Sequence, residues 1–550
     1  MNETKINFAD YLETSRISNT ESTAFDIMEQ FWKPGDDNEH VSQVCQTLGS
    51  EHSTIVEDSR LNAPKMFSQG DFDEYKSEIG DAIEIYTAIN DSAPLYFDKN
   101  KRKFVRSNRS ICRTDATKFD KVFTEMYQTR FQILFQRAKR HKSVVLWTRV
   151  SDNDSNDKLV IQIVDAISIS TKGTQHLIGN LSINRQGDFC IQGAQLELVL
   201  NIKGCKIHKG IYCDGHVVLV SGTIQLPERY FIATEIMHPP FDVGDDFDYF
   251  SGDVFGGNLD SRKIDTFSVY RESLLTSRKE VSSYWIILSN VNLTDIASLS
   301  ALESLFQKLV NSTTAQPLPV GFIFMGNFSS RSFSFSKKRF ILDDQTFIDY
   351  KKGFEDFSLV IVKYKILLEN CYWIFIPGPG DACICNQTIP RMPILEQFTE
   401  KMRENLLQSV PSAKIYFTTS PCRIRHMDRR LVLFSNPILG ELLSSSLFTS
   451  DSDENVLSPE FLVKMFINTL IGQAHLYPTP QRHKIVSRMD SFQLLCPLPD
   501  FICLGDITAP CFVEKVTDTC IIGNSGAYFA TSKTFFVYNA LKNKLDKYSL

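Results

Sequence analysis

At 550 residues, with 43% hydrophobic and 23% charged side chains, the chain has the composition of a globular protein of two to four domains, which excludes wholesale disorder. Its net charge of −6 excludes a protein that coats nucleic acid through overall positive charge. No apolar run reaches the roughly 18–20 residues of a membrane span, so a soluble protein with no membrane contact is expected.

Charge is unevenly placed along the chain. Residues 1–98 carry 20 acidic and 6 basic side chains, and residues 99–142 carry 3 and 14. The two segments read either as two solvated faces or as surfaces for different partners. Thirteen cysteines, an odd number with no CxxC pair and no signal peptide ahead of them, read as reduced thiols of a cytosolic or nuclear protein. Cys383-Ile384-Cys385 beside Cys371 lacks the ligand spacing of a zinc finger.

In chain order, residues 1–90 read as a small N-terminal helical module on a tether. Ala24 to Trp32 puts Phe25, Met28, Phe31 and Trp32 largely on one side ahead of Pro34-Gly35, and Asp81 to Ile89 is compatible with another helix. Residues 91–158 connect: a strand-like Pro94 to Phe97 runs into Lys99 to Arg106, which is either a hairpin tip or a patch for an acidic partner. An amphipathic helix follows, with Phe119, Val122, Phe123, Met126, Tyr127, Phe131 and Leu134 at three- and four-residue steps. Ser151 to Asp157 is a polar break.

Over residues 159–245 the period drops to two in five short runs, Leu177 to Ile183, Asp188 to Ile191, Leu196 to Ile202, His216 to Ile224 and Tyr230 to Thr234. Five strands at this spacing predict a small closed sheet of OB type. Residues 246–550 alternate strands and helices, which predicts an α/β layered domain. Expected helices are Ile296 to Val310, Leu395 to Leu407 and Phe461 to Leu470, with strands at Leu431 to Phe434, Cys520 to Ile522 and Thr534 to Val537. Ser445 to Asn455 reads as an exposed loop.

Four apolar runs in this last region stop abruptly in small polar residues: Tyr284 to Leu288, Val320 to Met325, Tyr372 to Ile376 and Phe501 to Leu504. Such runs suit strands buried on both faces, whose carboxyl ends open into one crevice. Binuclear metallophosphoesterases place DxH, GDxxD, GNHD or GNHE and GHxH motifs at such ends, because two metals roughly 3.5–4 Å apart need carboxylates and imidazoles to activate a hydroxide. Here the corresponding positions read Asn290-Val291-Asn292, Gly326-Asn327-Phe328-Ser329-Ser330, Gly378-Pro379-Gly380-Asp381 and Gly505-Asp506-Ile507-Thr508, and the region holds only His426, His475 and His483. No catalytic, cofactor or metal site is therefore expected. Were a weakened metal site to survive, Asp381, His475 and Asp506 would be its residues. P-loop, GxSxG and GxGxxG signatures are absent.

The chain resembles the B subunits of eukaryotic replicative DNA polymerases, the epsilon branch in particular. The resemblance rests on Ala93-Pro-Leu-Tyr-Phe97 with Lys101-Arg-Lys-Phe104, Arg130-Phe-Gln-Ile-Leu-Phe-Gln-Arg137, Tyr249-Phe-Ser-Gly252 with Phe255-Gly-Gly257, Gly326-Asn-Phe-Ser-Ser330 and Phe375-Ile-Pro-Gly-Pro379. It continues through Ile389-Pro-Arg-Met-Pro-Ile394, Thr418-Thr-Ser-Pro-Cys-Arg-Ile424, Gly472-Gln-Ala-His-Leu476 and Pro497-Leu-Pro-Asp500, covering about residues 93–510. It implies a multidomain α+β and α/β chain: N-terminal helical module, OB-fold barrel, and an inactive calcineurin-like phosphoesterase sandwich packed on the barrel. It also implies a nuclear, noncatalytic replication subunit that binds the C-terminal domain of the polymerase catalytic subunit. Through the N-terminal module it would reach the replicative helicase and its GINS component, with DNA met indirectly within the complex. Two other classes compete: a metal-dependent phosphodiesterase or nuclease, and a single-strand-binding OB protein using the basic stretch from Lys99 to Arg113.

Overall fold

The structure, a computed structural model, describes residues 83–106, 119–141, 144–146, 159–167, 173–225, 230–241, 283–312, 317–333, 344–384, 387–449, 458–479, 484–526 and 533–550, together with Phe250, Phe255 and four residues between 268 and 272. The helices expected within residues 1–82, the break from Ser151 to Asp157, Cys385 and His483 lie outside the described residues.

The chain from Ile83 onward is one compact unit. It opens with strand β1 (Ile83–Thr87) and a hairpin of β2 (Leu95–Asp98) and β3 (Lys103–Arg106), followed by helix α1 (Phe119–Arg140). The barrel region comprises β4 (Val144–Leu146), β5 (Leu159–Ile163), β6 (Gln175–Ile183), β7 (Phe189–Gln192), β8 (Glu197–Asn201), β9 (Lys206–Ile207), β10 (Ile211–Cys213), β11 (Val217–Gln225) and β12 (Tyr230–Met237). Strands run in the order β6, β7, β8, β12, β11, and β11 pairs back onto β6, closing five strands into a barrel. The β8 to β12 pairing is parallel and the others antiparallel. Alternation decides the two faces of β6: Leu177 and Leu181 enter the barrel with Ile191, Val218, Val220 and Phe231. Ile178 points the other way, onto Ile133, Leu134 and Ala138 of α1.

The last region holds β13 (Tyr284–Ser289), α2 (Ile296–Asn311), β14 (Gly321–Met325), α3 (Asp344–Val362), α4 (Lys365–Asn370), β15 (Tyr372–Ile376), α5 (Glu396–Ser409), β16 (Lys414–Phe417), β17 (Cys422–His426) and β18 (Arg429–Phe434). It ends with α6 (Ile438–Ser444), β19 (Ser446–Thr449), α7 (Pro459–Gly472), β20 (Phe501–Leu504), β21 (Phe512–Lys515), β22 (Ile521–Asn524), β23 (Thr534–Asn539) and β24 (Lys544–Ser549). Two six-stranded sheets result, one in the order β16, β15, β14, β13, β23, β24 and the other β1, β17, β18, β20, β22, β21.

The apolar runs are continuous because their strands have core on both sides. Leu288, Phe322, Phe324, Trp373 and Phe375 pack under α2, α3, α4 and α5. Their neighbours Trp285, Ile287, Ile323, Met325, Ile374 and Ile376 meet the second sheet. Burying each such side chain contributes about 1.5–3 kcal/mol. Helix α2 starts where the Asp295 carboxylate accepts from the amides of Ala297 and Ser298, and it buries Leu302, Leu305 and Phe306.

Three expectations are corrected. The segment read as a helix from Asp81 to Ile89 contains β1, which pairs antiparallel with β17; Ile83 and Ile85 alternate toward the core between the sheets, a period of two that outweighs helix propensity. Within the expected loop from Ser445 to Asn455, residues Ser446–Thr449 form β19, pairing with β10 of the barrel while Phe448 stacks on Tyr212 at 5.2 Å. Helix α3 is an element beyond those expected. None of the ten described cysteines is in a disulfide, and nine are buried.

Candidate functional site

The four strand ends converge. The amide of Asn290 donates to the carbonyl of Met325 (2.8 Å) and that of Gly326 to Ile376 (2.8 Å), joining the ends of β13, β14 and β15. From the second sheet, the Ser435 hydroxyl donates to the Gly326 carbonyl (2.8 Å), the Gly505 amide donates to Phe434 (2.9 Å), and Ser289 and Ser525 share a short hydrogen bond. Ser435 follows an apolar strand as abruptly as the other four runs end, so its signal was present in the sequence.

At the centre sits Asp381, wholly buried. Its Oδ1 accepts from the Phe328 amide (2.8 Å) and the Tyr350 hydroxyl (3.1 Å), and its Oδ2 accepts from the Gly378 amide (2.7 Å). Burial pushes its carboxyl up to about 6, against those hydrogen bonds and the field of Arg391. Asn327 crosses the same gap, its Oδ1 accepting from the Gly380 amide (2.6 Å). A Cβ at Gly326 would fall onto the Asp381 carboxylate and lie 2.6 Å from the Gly378 nitrogen, so only glycine fits. Asn292 turns back on its own chain, accepting from the amide and hydroxyl of Thr294.

Asp506 is treated the same way. Its Oδ2 accepts from the Leu439 amide (2.7 Å), its Oδ1 from the amide and hydroxyl of Thr508, and burial raises its carboxyl above the ordinary range. Asn524 seals the turn, accepting from the Asp506 amide and donating to the carbonyls of Asp506, Ala509 and Pro510. Both carboxylates are thus held by backbone amides inside the protein, with no exposed oxygen. Among the described residues no group of three His, Cys, Asp or Glu side chains has the arrangement of a metal site. Chemically, the crevice can tie loops together.

The histidines serve elsewhere. His426 Nδ1 accepts from the Trp285 indole (3.2 Å) between the sheets, and burial lowers its imidazole to about 4. His475 belongs to the junction with the barrel: its Nδ1 accepts from the Tyr477 amide (3.0 Å) and its Nε2 lies 3.2 Å from Asp490. Asp490 in turn receives both arms of Arg130 of α1 at 2.5 and 2.9 Å, which holds its carboxyl far below the usual range.

The quoted motifs gather at that same junction. Gln473 spans the barrel edge, accepting from the Val217 amide (3.0 Å) and donating to the Val217 carbonyl (2.8 Å). Arg137 donates to the carbonyls of Ile471 and Gly472 (2.8 and 2.5 Å). Arg423 donates to Phe255 and Leu494 and lies over the rings of Phe255 and Phe492. Arg391, 1% exposed, stands at the crevice instead, donating to the Ser435 carbonyl and the Asn436 side chain at 2.8 Å each. In the sequence these motifs were marks of resemblance; in the fold they are the polar connections that fasten helix, barrel and sandwich.

Comparison with known proteins agrees. The profile of the family of DNA polymerase alpha/epsilon B subunits matches residues 285–514, and that described as DNA polymerase epsilon subunit 2-like, OB-fold domain, matches residues 121–240. The DNA polymerase epsilon B subunit of Arabidopsis thaliana is 26% identical over 434 residues, covering 77% of this chain and 75% of the relative. The DNA polymerase epsilon subunit 2 of Mus musculus is 23% identical, covering 88% and 86%. The DNA polymerase epsilon B subunit of Schizosaccharomyces pombe is 24% identical, covering 78% and 70%. Barrel and sandwich are thus each matched, in order, and most of the chain is similar to B subunits of DNA polymerase epsilon.

Proposed function

We propose that this chain is the noncatalytic B subunit of a nuclear DNA polymerase epsilon holoenzyme. Its barrel and sandwich would together form the seat for the C-terminal domain of the catalytic subunit. The observation that carries this is the state of the crevice: Asp381 and Asp506, the acids left at the strand ends, are turned inward onto amides instead of outward onto metal or substrate. The sandwich reads as a calcineurin-like phosphoesterase fold kept as a binding surface after its ligands were replaced. The residues ahead of β1, expected as a helical module, would link the polymerase to the replicative helicase and its GINS component.

The fastening of barrel to sandwich supports a partner that spans both, through a large and lasting interface. Co-expression of the full chain with the C-terminal domain of the catalytic subunit tests it. Co-elution in one size-exclusion peak is expected, and two separate peaks overturn the proposal.

A further inference from the structure

The tip between β2 and β3 holds Lys99, Lys101 and Arg102, and β3 begins with Lys103. Among the described residues none of these four cations is paired with a carboxylate. Asp98, the nearest acid in sequence, caps the turn instead, accepting from the amides of Asn100 (2.9 Å) and Lys101 (3.2 Å). Single surface lysines elsewhere among the described residues are either paired, as Lys206, Lys363, Lys401, Lys515 and Lys544 are within 4 Å of a carboxylate, or unpaired, as Lys203 and Lys308 are; the tip differs in gathering four cations within five positions. Four like charges in five positions repel one another, and an anionic partner would relieve that repulsion.

The tip is also held in place. On the inner face the Phe97 ring packs tilted against Phe104 (5.0 Å), which meets Phe250 (5.5 Å). The Thr129 hydroxyl donates to Leu95, Arg106 donates to Asp91, and Arg140 donates to the carbonyl of Arg102 (3.1 Å). Alternation therefore sends Tyr96 outward, where it is 51% exposed opposite Val105, on the same side as Lys103. A fixed aromatic face beside unpaired cations matches the two requirements of single-stranded nucleic acid, a surface for an unpaired base and charges for the flanking phosphates.

We propose that the β2–β3 hairpin is a contact for single-stranded nucleic acid, with Tyr96 stacking on a base and Lys99, Lys101, Arg102 and Lys103 lying along the backbone. An acidic peptide would use the cations and leave the ring idle; the ring is what favours nucleic acid. The contact is independent of the scaffold reading, since it is measured on this chain alone.

The test is fluorescence anisotropy of a labelled oligothymidylate with the full chain between 50 and 200 mM salt. Up to four released counterions predict a slope of log K against log salt of about −2 to −3, hence a loss of about thirtyfold over that range. Replacing the four cations by glutamine should flatten the slope toward zero. Tyr96→Ala should weaken binding about fivefold to a hundredfold with the slope unchanged. Should the fourfold variant fail to fold, Lys101→Gln alone should reduce the slope by about 0.7. Absence of binding at 50 mM salt overturns the proposal, as does an unchanged slope in the cation variants. Tyr96→Ala binding like the parent, with polyglutamate competing as well as the oligonucleotide, overturns it in favour of an acidic protein partner.

Discussion

Gly326 shows how far one residue commits the crevice. Its absent side chain leaves room for the Asp381 carboxylate and the Gly378 amide, both fixed by hydrogen bonds. Gly326→Ala must displace backbone, and a loss of at least about 3 kcal/mol of unfolding free energy is expected, read by chemical denaturation. The histidines set a pH dependence. His216, His426 and His475 are buried, and burial lowers all three, His426 to about 4. The unfolded chain binds protons at these positions below about pH 6.5 and the native state does not, so stability falls as pH drops from there toward the folded values, by about 1.4 kcal/mol per histidine per pH unit. Asp381 works the other way. Its folded value of about 6 lies above its free value, so its contribution grows as pH falls through 6. Burial raises the carboxyls of Asp506 and Asp91 as well and lowers His176 and His238, so five histidines stand against three carboxyls and the balance is a net loss on acidification. Melts between pH 7.5 and 5 should show the midpoint falling, and His426→Gln, which can still accept from Trp285, should make that fall shallower.

At the scale of elements, the connection of α1 to the sandwich rests on Arg130, Asp490 and His475. Arg130→Met strands the Asp490 carboxylate, 5% exposed, beside His475 alone. A loss of about 3–5 kcal/mol is expected, with much of it recovered when Asp490→Leu is added, since removing both charges removes the desolvation cost. Equal stability of parent and Arg130→Met in urea would sink this account. Elements were legible where one physical signal dominated. The doubly buried strands β13, β14, β15 and β20 and the amphipathic α1, α2 and α5 announced themselves through continuous or 3.6-period apolar runs. Ile83–Thr87 and Ser446–Thr449 did not, because both are short edge strands whose partners, Cys422–His426 and Ile211–Cys213, lie hundreds of residues away. Helix α3 carried its signal in Phe347, Tyr350, Phe354 and Phe357, though polar Asp349, Lys351, Lys352 and Asp356 between them dilute it. At the candidate site, the residue types at the strand ends could be read from the sequence alone. That the remaining acids point inward could not, because orientation depends on amides supplied by Phe328 and Gly378 from two loops and by Leu439 from the first turn of α6.

For the whole molecule, the decisive contrast is between a crevice that waits for metal and one that has closed on itself. A waiting site keeps carboxylates apart and exposed, and their mutual repulsion is relieved when a dication arrives. Here each acid has two amides and a hydroxyl already in place, and opening either site would leave those donors buried without partners, at about 1–3 kcal/mol for each. A metal would have to offset several such losses with one carboxylate at a time, without an imidazole beside it. The expected outcome is that Mn²⁺ at millimolar concentration leaves the thermal midpoint within about a degree of its metal-free value and gives no stoichiometric heat in calorimetric titration. Binding at a dissociation constant a hundredfold below the metal concentration would add about 2.7 kcal/mol and move the midpoint by several degrees. A rise of that size, lost in Asp381→Asn or Asp506→Asn and accompanied by phosphodiester hydrolysis, would mean that the carboxylates leave their amides and that the sandwich is an enzyme.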